Sequence, residues 1–337
     1  MKIQELKDLL RHYPETELRA LIVELYKSIP TAVKEDKAID VMIKEFQTVR
    51  RKDATITELP LLIQEIKDFL THAYHGRYLK ENRLIPKYEQ KKWRFKLKQY
   101  LRLLSALEEH GEENQLAAEW LSALYTLLQT ACIRPLFPGG DPFRQLNVDQ
   151  LDLLKQIIYR RFLSGINTSA LTTCILLCNQ NGYASNILAA DLQEALLDNL
   201  KTAQARELAL EIAARLRQES MNDYQILNER AKHEQLSHRI ILEAREKVNR
   251  LTILILKLNL RLFQYEEGID DFIQAYADTS KEVMFYVLLE LLYRYELVEE
   301  WLRIYEKALR QGVQFKDNLQ AYYAKVKENG GFAEHYL

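Results

Sequence analysis

The sequence predicts an all-α protein built from stacked helical hairpins, an α-solenoid-like array preceded by an N-terminal helical unit. Three observations carry this. Apolar residues recur at helical spacing along nearly the whole chain, no segment except one alternates as a strand would, and no proline occurs after Pro142. With 337 residues the chain exceeds one ordinary globular domain, so two domains or an elongated array are expected. The stretch RPLFPGGDPFRQLNV, Arg134 to Val148, gathers Pro135, Pro138, Pro142, Gly139 and Gly140, and there the chain must stop being helical. The expected organisation is therefore an N-terminal helical domain over 1–133, a connector over 134–148, and a C-terminal helical-repeat domain over 149–337.

The first helix is expected from Ile3 to Arg11. After Pro14, Leu18, Leu21, Ile22 and Leu25 mark the apolar face of the second. Pro30 opens a third, with Val33, Ile39, Ile43 and Phe46 on one side and Arg50, Arg51 and Lys52 at its negative end. Thr57 suits the N-cap of a fourth, Glu58 to Tyr74, with Pro60 tolerated in its first turn. Pro86 to His110 is expected as one long helix ended by Gly111, followed by Glu112 to Ala131.

Beyond the connector, Asn147 is expected to cap a helix to Ser164 and Asn167 the next, to Gln180. Helices from Ser185 to Lys201 and Ala203 to Glu219 follow with short joints, as antiparallel hairpins require. LTILILKLNLRLF, Leu251 to Phe263, is the one segment that alternates. Arg239, Glu243, Glu246, Arg250, Lys257 and Arg261 nonetheless keep one stripe of a continuous helix from Ser237 to Gln264, and no other strand exists to pair with it. Four more helices are expected: Ile269 to Ala277, Ser280 to Tyr293, Leu297 to Gln311 and Phe315 to Glu328.

In the last region Trp301, Tyr305, Ala308 and Leu309, with Leu288 in the helix before, resemble a tetratricopeptide repeat. Leu289, Leu292 and Trp301 depart from its pattern, and Phe272 and Tyr276 repeat the spacing only loosely, so no regular 34-residue period stands. The opening LKDLLRHYPETELRALIVELYKSIP is similar to the start of bacterial helical proteins known only as a domain of unknown function, which implies no activity.

Composition excludes little. The 47 basic and 48 acidic residues nearly cancel, so polyanion or membrane binding would need a local patch. Cys132, Cys174 and Cys178 are an odd set that fits free thiols in a reducing cytoplasm. MKIQELKDLL has no signal-peptide run, and the apolar heart of the uncharged stretch Phe162 to Ala190, Ala170 to Cys178, is too short to span a bilayer, so no membrane association is expected. That stretch reads as the buried middle of the molecule.

The strongest local patch is Arg77 to Arg102, where ten Lys or Arg face only Glu81 and Glu89. Lys87, Lys91, Arg94, Lys98 and Arg102 form a cationic stripe beside Trp93, Leu97, Tyr100, Leu101 and Leu104, so phosphates neutralised by the stripe and bases stacked on Trp93 would make a nucleic-acid site. From Gln264 to Glu300 ten acids face Lys281 and Arg294, which suggests attraction between the two ends, within the chain or by self-association. Arg134 and Arg144 beside Gly139 and Gly140 offer an anion loop, although the spacing is not that of a phosphate loop. Tyr286, Tyr293, Tyr305 and Tyr322 are candidates for a peptide groove.

No metal, cofactor or catalytic set is expected. His233, Glu234 and His238 place the histidines five apart, about 140° around a helix. His72 and His75 can share a face as a surface pair. Cys174 and Cys178 read as core residues, and no nucleophile elbow occurs. The expected function is a non-catalytic scaffold or adaptor for a protein or peptide partner; nucleic-acid binding comes second and an enzyme of unknown class third.

Overall fold

The computed structural model describes residues 13–36, 39–44, 59–79, 92–234, 237–277 and 280–332. The helix expected from Ile3 to Arg11, the cap Thr57, and Lys87 and Lys91 lie outside the described residues. Among the described residues there are helices and no strand: the fold is all-α. The chain divides into two compact units, the described part of Met1–Tyr100 with Leu136–Pro138, and Leu101–Pro135 with Gly139–Leu337. The packing thus divides the chain elsewhere than at a 134–148 connector.

In the first unit α1 (Glu15–Ser28), α2 (Thr31–Asp36) and α3 (Ile39–Lys44) precede α4 (Leu59–Tyr74). Tyr26 donates to Asp40 at 2.5 Å, and Lys34 Nζ lies 4.0 Å over the Tyr26 ring, so this small group is fastened by polar contacts. The apolar content of the unit concentrates in rings. Phe69 of α4 meets Tyr78, Tyr100 and Phe137 at 5.3, 5.6 and 6.3 Å, and Phe137 stacks on Trp93 at 4.1 Å. The three residues Leu136–Pro138 therefore belong here because Phe137 completes an aromatic core.

The helix α5 (Trp93–Ser105) stops five residues before the expected His110, and Gly111 opens α6 (Gly111–Ile133) instead of capping α5. Arg160, from α8 (Gln150–Phe162), explains the stop. Its Nη2 donates to the carbonyls of Ser105 and Leu107 at 2.9 and 3.0 Å, and its Nη1 to Glu108 O at 3.3 Å and Asn114 Oδ1 at 3.1 Å. A buried guanidinium thereby takes up carbonyl groups that a longer helix would have bonded internally.

The 142–146 segment is itself helical. α7 (Pro142–Leu146) is capped by Asp141, buries Phe143 and Leu146, and ends on Asn147 in the left-handed conformation, φ 50°. Asn147 thus closes α7, and Asp149 caps α8 by accepting from Asp152 N. Asn167 caps α9 (Thr168–Asn179) as its sequence position predicts, accepting from Ala170 N at 3.0 Å. Both buried thiols, Cys174 and Cys178, lie in this helix, which forms the interior expected of the uncharged stretch. α6 is long and apolar enough to cross a membrane by length and composition, but 56% of that stretch is buried inside the protein, where α7, α8 and α9 pack on it.

The second half continues with α10 (Ala189–Leu197), α11 (Ala203–Ala231), α12 (His238–Arg261), α13 (Tyr265–Ala275), α14 (Lys281–Arg294), α15 (Val298–Arg310) and α16 (Asp317–Asn329). The alternating segment is helix, within α12. From Val248 to Leu260 α12 is buried on nearly every side, enclosed by α9, α10, α11 and α13. Several of its polar residues are bonded to neighbouring segments. Asn249 exchanges both amide bonds with the Ala277 backbone at 3.2 and 2.8 Å, Arg250 Nε donates to Asn179 O at 2.9 Å, and Lys257 pairs with Glu194 at 2.8 Å.

Where α13 crosses α12, Gly268 is required. A Cβ there would lie 2.6 Å from the Asn259 Cβ, well inside van der Waals contact. In an open helix Gly→Ala gains about 1 kcal/mol. Here the clash reverses the sign: Gly268→Ala is expected to destabilise the protein by about 2 kcal/mol, measured by urea denaturation, and a more stable variant would refute the close approach.

Candidate functional site

On α5 the expected apolar face is core. Trp93, Leu97, Tyr100, Leu101 and Leu104 are all buried, and desolvation pushes the Tyr100 hydroxyl well above its ordinary pKa. Trp93 is therefore not a stacking platform, because its face is occupied by Phe137. The cationic side is partly retained: Lys96, Lys98 and Arg102 are exposed, Arg94 is half-buried, and Phe95 is 45% exposed between them. Phe95, one of the aromatic residues interleaved with the basic ones, is thus the exposed ring on this helix.

The candidate groove tyrosines split in two. Tyr305 and Tyr322 are core residues, Tyr305 stacking on Tyr323 at 4.1 Å and on Phe315 at 4.7 Å, and Tyr322 meeting Trp301 edge-on at 5.9 Å. Tyr286 and Tyr293 are half-buried; Tyr286 accepts from Lys316 N at 2.9 Å, and Tyr293 packs on Phe332 at 4.9 Å. Aromatic residues spaced for a groove were here used to pack α14 against α15 and α16, because a short helical pair needs large side chains to fill its interface.

Four acids of the acidic stretch are paired locally. Asp271 binds Arg217 through two bonds of 2.5 and 2.8 Å, Glu266 meets Arg303 at 3.3 Å, Asp270 meets Lys307 at 3.0 Å, and Glu290 meets Arg294 at 2.7 Å. Three of these counter-charges, Arg217, Arg303 and Lys307, come from α11 and α15, on either side of the counted window, and Arg294 lies within it. Attraction to the basic segment near the N-terminus is therefore weakened at its source.

A cavity of about 310 Å³ opens at the C-terminal end of α6, lined by Cys132, Arg134, Pro135, Gly139, Gly140, Asp141, Tyr183 and Ser185. Of the expected anion loop it takes Arg134 and not Arg144, whose backbone N–H instead donates to the capping Asp141 carboxylate at 3.2 Å. Asp141 also accepts from Ser185 N and Oγ at 2.9 and 3.1 Å. Burial raises this carboxyl's pKa, but the donors from Ser185 and Arg144 outweigh it and hold it below its usual range. Cys132 is pushed the other way, to about 12, chiefly by burial, so its thiol is a poor nucleophile.

The second unit also holds a buried polar cluster that spacing did not reveal. Gln193 Nε2 donates to Asn179 Oδ1 and Arg250 O at 2.8 and 2.9 Å, and Gln129 Nε2 to Leu177 O at 3.0 Å. Gln150 joins Tyr125, Gly182 and Ala184, bonding the Tyr125 hydroxyl at 3.1 Å, Gly182 O at 3.1 Å and Ala184 N at 2.7 Å. Four atoms of this region, Gln129 Oε1, Gln193 Oε1, Arg250 Nη2 and the Tyr183 hydroxyl, are buried without a hydrogen-bond partner. The only trace of it in the sequence is polar residues inside otherwise apolar helices.

The histidine candidates do not form a metal set. His72 Nε2 accepts from Arg77 at 3.0 Å, and burial and then Arg77 lower its pKa; His75 Nδ1 bonds Thr71 O at 2.7 Å. His233 and His238 are exposed and lie on α11 and α12 sides of a turn. Among the described residues no group of three or more His, Cys, Asp or Glu could hold a metal ion.

Lys257 and Glu194 supply a further test of this interior. Glu194 also binds Arg261 at 2.7 Å, so its removal strands one buried cation. Glu194→Ala is expected to cost about 3 kcal/mol, whereas Lys257→Met with Glu194→Leu costs far less. Equal losses in thermal and urea unfolding would show that the pair is not coupled. Gly182, with φ +104° and no room for a Cβ against Gln129 O, sets the loop that carries Tyr183. Gly182→Ala should cost about 3 kcal/mol or prevent folding, read by circular dichroism and urea midpoint.

No family model, curated protein or solved structure matches this chain.

Proposed function

We propose that the chain is a non-catalytic helical scaffold that binds a protein partner, with α1 as a docking helix and the C-terminal hairpins as a tetratricopeptide-like array. The observation that carries the docking reading is the apolar stripe of α1. Leu21, Ile22 and Leu25 are 38%, 56% and 56% exposed, at the spacing that lays one helical face into an apolar groove. A stripe of this kind ordinarily faces a core. The array reading is supported by packing in chain order: α11 on α12, α12 on α13, α13 on α14, α14 on α15 and α15 on α16. Leu288, Tyr305 and Ala308, which carry the repeat resemblance, are buried at these joints.

The test is a photo-crosslinking residue at Leu25 of the full chain in its native cells. A discrete adduct with another protein is expected, lost when Leu21 and Ile22 are changed to glutamate in a variant of unchanged thermal stability. Adducts with a second copy of this chain alone, or none, would reject the docking reading.

Exposed Lys96, Lys98 and Arg102 around Phe95 favour a second reading, polyanion binding. It predicts oligonucleotide affinity that falls steeply between about 50 and 200 mM salt and is lost in Lys98→Glu with Arg102→Glu. Absence of binding at low salt would dismiss it.

A further inference from the structure

We infer that α5 binds single-stranded nucleic acid, with the Phe95 ring stacking on an unpaired base while Lys96 and Lys98 meet the adjoining phosphates; this rests on the polyanion reading and names its ligand. In charge α5 departs from the other helices. It carries Arg94, Lys96, Lys98 and Arg102 without one acid, and among the described residues no other helix has more than one Lys or Arg and no acid. Neither Lys96 nor Lys98 pairs with a carboxylate among those residues.

Phe95 stands three and seven residues before Lys98 and Arg102, so the three share one stripe within about 60° around the helix, and Lys96 flanks the ring on its other side. That stripe is opposite the core. Phe95 is turned about 160° from Leu97 and about 180° from Leu104, both fully buried, so its ring adds little to the packing of α5. Two other exposed rings sit beside acids instead: Phe263 is followed by Glu266 and Glu267, and Tyr159 donates to Glu109 at 3.0 Å. An exposed π-face between cations suits a splayed base and its phosphates. A duplex keeps its bases stacked within itself and engages the cations alone.

The end of α4 adds to this field. Arg77 donates to His72 Nε2 at 3.0 Å, and Lys96 is close enough to act on the same imidazole: burial first, then Arg77 and Lys96 lower its pKa, while Asp68 raises it. The acids of α4 that approach α5, Glu65 and Asp68, both act on the buried Tyr100 hydroxyl, about 140° around the helix from Phe95, and Asp68 accepts from Gln64 at 3.0 Å. Cations therefore predominate around the exposed ring, which favours a ligand of repeating negative charge.

The experiment is fluorescence anisotropy of the full chain with a labelled mixed-sequence DNA oligonucleotide, single-stranded or annealed to its complement, at about 50 and about 200 mM salt, beside heparin as a polyanion without bases. The single strand is expected to bind tighter than the duplex by about fivefold or more. Phe95→Leu keeps an apolar side chain and removes the π-face, so it should weaken the single strand by about tenfold while duplex and heparin affinities stay within about twofold. Phe95→Trp should retain or exceed the parental affinity, and Lys98→Glu should weaken all three ligands. Because Phe95 stands outside the core, its variants should unfold at the parental temperature. If none of the three ligands binds at low salt, the polyanion reading and this inference fall together. Binding without preference for the single strand, or Phe95→Leu that is indifferent or equally harmful to every ligand, would overturn this inference and leave the polyanion reading standing.

Discussion

The second unit depends on burying α12 from nearly every side. A helix in that position gains packing around its whole circumference, and in exchange the polar groups on it need partners inside the protein. Asn249 reaches the Ala277 backbone, Arg250 the end of α9, Lys257 the Glu194 of α10, and Asn259 its own Ile255 carbonyl. The first three bonds tie the segment after α13, the end of α9 and α10 to α12, so these polar residues specify where its neighbours sit while the leucines supply the burial. Close approach adds a further constraint at Gly268.

Arg160 performs the corresponding task at the other end of the unit. It collects the loose carbonyls after α5 and is returned a bond by Asn114, whose amide donates to Arg160 O at 2.9 Å. A charge is tolerated in the interior because four acceptors surround it. The cluster of Asn179, Gln193 and Arg250 follows the same rule, and each of the two networks leaves single buried atoms without a hydrogen-bond partner, Arg160 Nε in one and Arg250 Nη2 in the other.

The candidate surfaces show how far side-chain spacing can be trusted. On α5 the division into a cationic and an apolar face was legible from Lys98, Arg102, Leu97 and Tyr100, since amphipathic period alone sets which residues share a side. What Trp93 does was not legible, because the ring that covers it, Phe137, is 44 positions away in the sequence. The same holds for Tyr305 and Tyr322, whose partners come from α16 and α15. The exposed stripe of α1 is the converse case: its spacing predicts burial, and no neighbour among the described residues provides it.

By itself the sequence determined the helical class, the interior character of the uncharged α9, the cap at Asn167 and the helical state of α12, because local period, capping chemistry and proline placement act within a few residues. Only the tertiary structure decided that Arg160, Arg250 and Lys257 are buried while Arg239, on the same stripe as the last two, is exposed. It also decided that α5 ends at Ser105, that α6 joins the second unit, and that Asp149 rather than Asn147 caps α8. Each of those outcomes turns on a group contributed by a distant element, and helical spacing records the face a residue occupies without recording what that face will meet.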